Sequence, residues 1–373
     1  MGKKTEFLYL SEPDMIKAGV LDSARCIDVS EEVFGLLGQG DYIMGGPKHN
    51  EHGLGVSFPR EALFPNMPVA GPDRRFVAMV AYLGGRFSVC GEKWYGSHII
   101  NPSRGLPRSV LMVMLNDPDT CEPLALMSAN LISAMRTGAV PGVGTRYLAR
   151  GNAEVCAVIG CGPINKASFQ AIQAEMKNIR EIIAYDLFPD KAEAFVKWAG
   201  EEFHIKGKTA ATLEDAVRAG DIVSIAASRL KPLEIKNEWV KKGSLVILTG
   251  PAKADDAFWL ENTLVYDNAK MHEAYMEEAR RMGDIQAAYN GWIGGPAYTL
   301  IDKRLLGPLE EAVSLGDVVT GTRPGRTGDD DTMIFITSGM VLFDIGWGYE
   351  IYQRAKAMGV GQNLLLWDEA HWM

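Results

Sequence analysis

The stretch Ala157-Val158-Ile159-Gly160-Cys161-Gly162-Pro163-Ile164-Asn165 decides the fold. It sets a short β-branched run, 154–159, directly ahead of two glycines and of a helical pattern over 164–176. Glycines in that place permit a tight turn and let the backbone approach a pyrophosphate at the N-terminus of the next helix. Asp186 closes the strand-like run 181–185, where a carboxylate can accept hydrogen bonds from an adenosine ribose. Asn165 stands where the fingerprint has its third glycine, a departure expected to loosen the packing of helix on strand. Strand, turn, helix, strand and acid nonetheless follow in the order that dinucleotide binding requires.

Downstream the alternation continues. A helix is predicted over 189–203, a short strand at Thr209, a helix over 213–218, and strands over 222–227, 244–249 and 263–266. Strands alternating with helices imply a parallel, doubly wound sheet. Beyond it come a polar helix over 271–282, a solvated acidic turn at Asp329-Asp330-Asp331, a strand over 333–337 and a long aromatic-rich helix over 341–358. The aromatic residues Phe343, Trp347, Tyr349, Tyr352, Trp367 and Trp372, like the 17 methionines, are expected to serve core and subunit packing.

Upstream, 7–10 reads as a strand, Ser11-Glu12-Pro13-Asp14 as a capped helix start, and the amphipathic stretch continues to about Leu37. Residues 45–72 are rich in Gly, Pro and Asn, and strand-like runs follow at 75–83, 87–95 and 109–116, suggesting an antiparallel or mixed sheet. A helical stretch over 124–148, broken by Pro141-Gly142, leads into the first α/β unit. The expected fold class is therefore α/β, with a Rossmann domain at 129–315 inserted in a discontinuous α+β domain made of 1–128 plus 316–373. That second domain is expected to bind substrate and to dimerise, with the active site in the cleft between the two.

Composition narrows the function. The chain has 373 residues, 38 Lys+Arg against 47 Asp+Glu and a formal net charge of −9, so no nucleic-acid footprint is expected. The longest purely apolar run, 76–83, is far short of the ~20 residues a membrane-spanning helix needs. The N-terminus lacks an apolar signal core, and a cytoplasmic enzyme of small molecules fits best. Five cysteines without a CxxC pair and six scattered histidines argue against a disulfide framework and against a metal site.

Two charged residues in apolar settings carry the candidate chemistry. Lys93, in Gly91-Glu92-Lys93-Trp94-Tyr95-Gly96-Ser97, sits at a strand end among aromatics, where partial burial lowers a lysine pKa toward a proton-transfer role. The alternative is a lysine that snorkels to water. Arg136, the single charge in Met127-Ser128-Ala129-Asn130-Leu131-Ile132-Ser133-Ala134-Met135-Arg136-Thr137-Gly138-Ala139, needs an anionic partner if buried. A substrate carboxylate or a structural ion pair would serve.

Together these stretches, with Leu115-Asn116-Asp117-Pro118 and Thr320-Gly321 followed by Pro324-Gly325-Arg326-Thr327, resemble the ornithine cyclodeaminase and mu-crystallin family over nearly the whole chain. The resemblance is nearest to the branch of the amino-carboxyethyl-glutamate synthase of siderophore pathways. It implies a dimeric, nicotinamide-dependent enzyme moving a hydride at the α-carbon of an amino or imino acid, with NAD as cofactor. By motif match, Lys93 falls on the family's catalytic lysine, Arg136 on its carboxylate-binding arginine and, more loosely, Lys48 on a second basic carboxylate ligand. The cofactor-binding set is Thr137, Gly160, Gly162, Pro163, Ile164, Asn165, Asp186 and Ser228. The cyclodeaminases carry a catalytic aspartate where this chain reads Ala226-Ala227-Ser228-Arg229-Leu230, so ring-closing deamination is not expected. An amino acid dehydrogenase or imine reductase leads, ahead of a synthase coupling two amino acids and of a non-catalytic dinucleotide-dependent binding protein. The side-chain pocket is not fixed by any motif; Tyr95, Met112, Leu230 and Trp292 are candidates.

Overall fold

A computed structural model describes residues 3–227 and 233–372. It divides the chain into two compact units, one of Met1–Asp22, Asp41–Arg136 and Met340–Met373, the other of Ser23–Gly40 and Thr137–Gly339.

The second unit is built on an eight-stranded, wholly parallel sheet in the order Lys206–Thr209, Glu181–Tyr185, Val155–Ile159, Ile222–Ile225, Leu245–Leu248, Met333–Ile336, Thr263–Tyr266, Val313–Ser314. The order runs outward in both directions from Val155–Ile159, which is the doubly wound arrangement expected, with the fingerprint turn at its switch point. Ile222–Ile225 and Leu245–Leu248 are buried at every position, the continuous burial of parallel strands covered on both faces. Three boundaries differ from the expected ones, and in the first of them residues 129–136, Arg136 included, stay with the first unit. Met333–Ile336 joins this sheet between Leu245–Leu248 and Thr263–Tyr266, which brings 316–339 into the second unit. The helix Ser23–Gln39 also belongs here: its Gly38 meets Gly316 so closely that a Cβ would lie 2.3 Å from the Gly316 carbonyl oxygen.

The first unit is a mixed sheet in the order Gln362–Trp367, Thr5–Leu10, Pro123–Ser128, Ser109–Asn116, Val89–Ser97, Arg75–Leu83, with Tyr42–Met44 and Leu54–Ser57 both on the last strand. Thr5–Leu10 pairs parallel with Pro123–Ser128, and the other pairings are antiparallel. The helix Val341–Met358 packs on one face, burying Phe343, Ile345 and Trp347. Trp367 and Trp372, expected in packing, are exposed.

Three local expectations change. Residues 123–128 form a strand: the turn at Asp117, whose carboxylate accepts the N–H groups of Asp119 and Thr120, folds the run back on Ser109–Asn116. An all-apolar stretch hides the period that separates strand from helix. The helix Asn130–Leu148 then passes through Pro141 unbroken. Proline removes the donor to the Thr137 carbonyl, but burial of Ala139, Val140 and Val143 and the close approach of Gly138 to Ala167 hold the helix. At the N-terminus the Ser11–Asp14 capping box forms as expected, yet the amphipathic stretch splits at Gly19 (φ 89°) into Glu12–Lys17 and Ser23–Gln39.

Candidate active site

Strand alternation in Val89–Ser97 sends Lys93 to the face opposite Glu92 and Trp94. Lys93 is 3% exposed and Trp94 38%. Lys93 pairs laterally with Met79 and Val113, beneath the helix Val341–Met358. That helix supplies Asp344 from its first turn, where a carboxylate complements the helix dipole. Lys93 Nζ donates to Asp344 Oδ2 at 2.9 Å, and Arg136 Nε, from the first half of the helix Asn130–Leu148, lies 3.0 Å from the same oxygen. The side chain of Asp344 is fully buried and that of Arg136 is 8% exposed.

Two cations thus share one carboxylate in a dry setting. Burial, then the Arg136 charge, lower the Lys93 pKa to about 8, with Asp344 opposing the shift. Arg136 Nε is close to Oδ2 but not aligned to donate, and Asp344 Oδ1 accepts no hydrogen bond among the described residues. Among the described residues this guanidinium is tied by a charge contact alone, which leaves donors for a carboxylate ligand that it would bind as a planar fork. Asp344 was not legible as a site residue. The signal was there in Val341-Leu342-Phe343-Asp344-Ile345-Gly346-Trp347, a lone acid in an apolar helical turn that must find a cation if buried.

Lys48 is not part of this cluster. It stands on an exposed turn, its backbone N–H donating to the Glu51 carboxylate and its carbonyl accepting from the Asn50 amide. Of the pocket candidates, Tyr95 shares the Lys93 face, with Lys93 Nζ 5.7 Å from its ring centroid. Met112 falls on the opposite face, since it pairs with Trp94. Trp292 packs at 5.0 Å on Tyr275 in the second unit. Leu230 lies outside the described residues, as do Ser228 and Arg229.

The fingerprint turn of the second unit is packed tightly on the chain's own backbone. Gly160 holds φ 89° and donates its N–H to the Tyr185 carbonyl, and a Cβ there would come within 2.9 Å of the Ala226 carbonyl oxygen and of Ala227 Cα. Gly162 caps the helix Pro163–Glu175 with no side-chain cap hydrogen bond among the described residues, and a Cβ on it would meet none of their atoms within 4 Å. Open backbone donors at a helix start suit a phosphate group. Asp186 Oδ2 accepts the Cys161 N–H at 2.8 Å and Oδ1 the Phe188 N–H at 3.0 Å, so the acid also braces the turn. Burial and Asp186 push the Cys161 thiol up to about 12, leaving it neutral beside the turn. Thr137 is half-buried one residue beyond Arg136.

Asn165 corrects an expectation. Fully buried, its amide donates to the carbonyls of Ile159 (2.9 Å), Gly160 (2.8 Å) and Ser224 (3.3 Å), and its oxygen accepts from Ser224 Oγ at 2.7 Å. The side chain fastens the helix to two strands where a third glycine would only let them approach.

A doubly wound dinucleotide-type unit joined to a sheet unit bearing a buried Lys–Asp–Arg cluster defines the class of protein. A profile of the ornithine cyclodeaminase/mu-crystallin family matches residues 20–359, and the chain belongs to that family. It is 28% identical over 368 residues to the N-((2S)-2-amino-2-carboxyethyl)-L-glutamate dehydrogenase of Staphylococcus aureus, covering 97% of this chain and 99% of that one. It is 30% identical to the alanine dehydrogenase of Archaeoglobus fulgidus over 292 residues, 77% of this chain and 82% of that one. The solved structure of an archaeal alanine dehydrogenase dimer with bound NAD superposes with a TM-score of 0.78 at 26% identity, covering 97% of this chain and all of that one.

Proposed function

We propose that the protein is an NAD(H)-dependent oxidoreductase acting on the C–N bond of an α-amino or α-imino acid, as an amino acid dehydrogenase or ketimine reductase. The buried Lys93–Asp344–Arg136 cluster carries this reading, because it joins a lysine poised near neutral pH to a guanidinium with donors to spare. NAD supplies the hydride acceptor, and NADH the donor in the reverse direction. For oxidation, an amino acid, NAD and water give the 2-oxo acid, ammonium, NADH and a proton. For reduction, the imino acid takes a hydride at carbon and a proton at nitrogen.

Arg136 holds the α-carboxylate, with Lys48 of the same unit as the second basic ligand that the family pattern implies. Neutral Lys93 takes the proton from the α-ammonium or from the attacking water, and protonated Lys93 returns it to nitrogen during reduction. Asp344 is a positioning residue: it orients the Lys93 amine and keeps two like charges together. On the cofactor side, Gly160, Gly162, Pro163, Ile164 and Thr137 serve by backbone approach, with Asn165 holding the turn in shape. Asp186 accepts the ribose hydroxyls and repels an added phosphate, and Ser228 completes the set from outside the described residues.

We also read the protein as a homodimer, as its archaeal relative is, with the apolar outer face of the first unit's sheet as the contact. Its cysteines are all free thiols, as a reducing compartment keeps them, and we place it in the cytoplasm. No described helix is long and apolar enough to cross a membrane.

The test is a scan of NADH absorbance with NAD and each amino acid, and in reverse with 2-oxo acids plus ammonia, repeated with NADP(H). Turnover in both directions with NAD(H) favoured is expected. Ornithine should not yield proline plus ammonia, because Ser228-Arg229 stands where the cyclodeaminases have their acid. Proline accumulating in proportion to enzyme, without net NADH change on any amino acid, would instead make the protein a cyclodeaminase. Product formed only from pairs of amino acids would favour a synthase, and cofactor binding without turnover of any kind a binding protein.

A further inference from the structure

We propose that Arg75 is a specificity-determining residue of the same site and selects substrates whose side chain ends in a carboxylate, the dicarboxylic amino and imino acids. The inference rests on Lys93 and Arg136 as the groups that engage the substrate's α-centre.

Strand register lays out the geometry. On the Lys93 face, successive rows across three strands are Met79–Lys93–Val113, Val77–Tyr95–Leu111 and Arg75–Ser97–Ser109. Rows on one face follow every second residue, about 7 Å apart. The Lys93 row is buried under the helix Val341–Met358, whereas Tyr95, Leu111 and Ser109 are only partly buried and the Arg75 side chain is 44% exposed. A side chain leaving the α-carbon beside Lys93 can therefore run along the sheet toward this open end. There it meets the Tyr95 ring, with Lys93 Nζ 5.7 Å from the centroid and Arg75 Cζ 6.0 Å from it. The two cations are thus no more than about 12 Å apart. A chain of two or three carbons ending in a carboxylate spans that interval once a hydrogen bond of ~3 Å is counted at each end.

Arg75 is set up for the role. Its guanidinium pairs with Asp73, whose carboxylate also takes Arg108 Nε at 2.6 Å and Ser97 Oγ at 2.5 Å. Ser109 Oγ extends the network to Ser97 Oγ at 3.1 Å. Held by Asp73 and by the Tyr95 hydroxyl, the planar fork loses less freedom on binding a carboxylate than a free arginine would. Tyr95 forms the apolar floor on which the intervening methylenes lie.

The experiment compares L-glutamate and L-aspartate with L-alanine and L-leucine as substrates with NAD, in the wild type and in Arg75→Met and Arg75→Gln. In parallel, calorimetry measures binding of 2-oxoglutarate and of 2-oxovalerate to the NADH-loaded protein, a readout that needs no turnover. The wild type should favour the acidic substrates at least tenfold in kcat/KM. Both variants should lose about 100-fold on them while staying within about threefold on the neutral ones, and should lose the preference for 2-oxoglutarate in calorimetry. A wild type that favours neutral substrates and ligands overturns the proposal. So do variants that lose acidic and neutral activity alike, with an unchanged binding ratio, which is what a merely structural Arg75–Asp73 pair would give. If no amino acid turns over but 2-oxoglutarate binds through Arg75, the assignment of function fails and that of Arg75 stands.

Discussion

Lys93 carries a charge penalty that its proposed role in proton transfer would use. Its pKa of about 8 lies well below the 10.5 of an unfolded lysine, so between those values the unfolded chain holds a proton that the folded one has released. Folding stability therefore rises as pH climbs through that window, by at most roughly 1.4 kcal/mol for each step of one in pH. The penalty is fully present below pH 8. Urea unfolding of wild type and Lys93→Met across pH 7–10.5 should show the wild type gaining on the variant. In turnover, kcat/KM for amino acid oxidation should rise to a plateau beyond an apparent pKa near 8, and imine reduction should fall over the same range. Lys93→Met should remove the inflection and lower turnover by about 100-fold or more, with NADH affinity by fluorescence nearly intact. Asp344→Asn deletes the group that raises the Lys93 pKa, so its inflection should move to lower pH. An inflection unchanged in either variant would take Lys93 out of the proton transfer.

At the scale of elements, the fingerprint turn shows how a departure from a motif can strengthen it. Asn165→Gly restores the third glycine of the pattern but removes three donated and one accepted hydrogen bond at a fully buried position. Leaving the Ile159, Gly160 and Ser224 groups short of partners should cost about 2–3 kcal/mol and weaken NADH binding roughly tenfold. A variant more stable than the wild type in thermal melting would show that close packing outweighs the amide. The turn itself was legible because its order of strand, glycines, helix and acid is fixed by local backbone needs. What Asn165 does was not, since its partner Ser224 is 59 residues away. The same limit hid Asp344, which meets Lys93 across 251 residues, and the strand Pro123–Ser128, whose identity depends on the sheet that receives it. Lys93 could be placed from its own strand, because alternation alone decides its face.

That alternation also bears on the whole molecule. The strands that turn Lys93 and Tyr95 inward turn Trp94 outward, and with it Phe76, Val80, Val110 and Met112, all at least 38% exposed. Trp94 stacks on Phe76 at 5.7 Å, forming an apolar surface on the face that the helix Val341–Met358 does not cover. A contiguous exposed apolar patch of this kind marks an interaction site, and a two-fold interface would bring identical patches together. Slipping one strand by a residue would exchange the Lys93 face with the Trp94 face, so the register that buries Lys93 also exposes this apolar surface. Light scattering should therefore give twice the 40.8 kDa chain mass, and Trp94→Lys or Met112→Lys should shift the mass toward the monomer, because a lysine buried against a second apolar face has no counter-charge. Neither residue shares the face of Lys93, so the pKa governing turnover should remain near 8 in whatever dimer survives. A wild type that is monomeric at every concentration would overturn the dimer, and substituted chains that stay fully dimeric would move the subunit contact off this face.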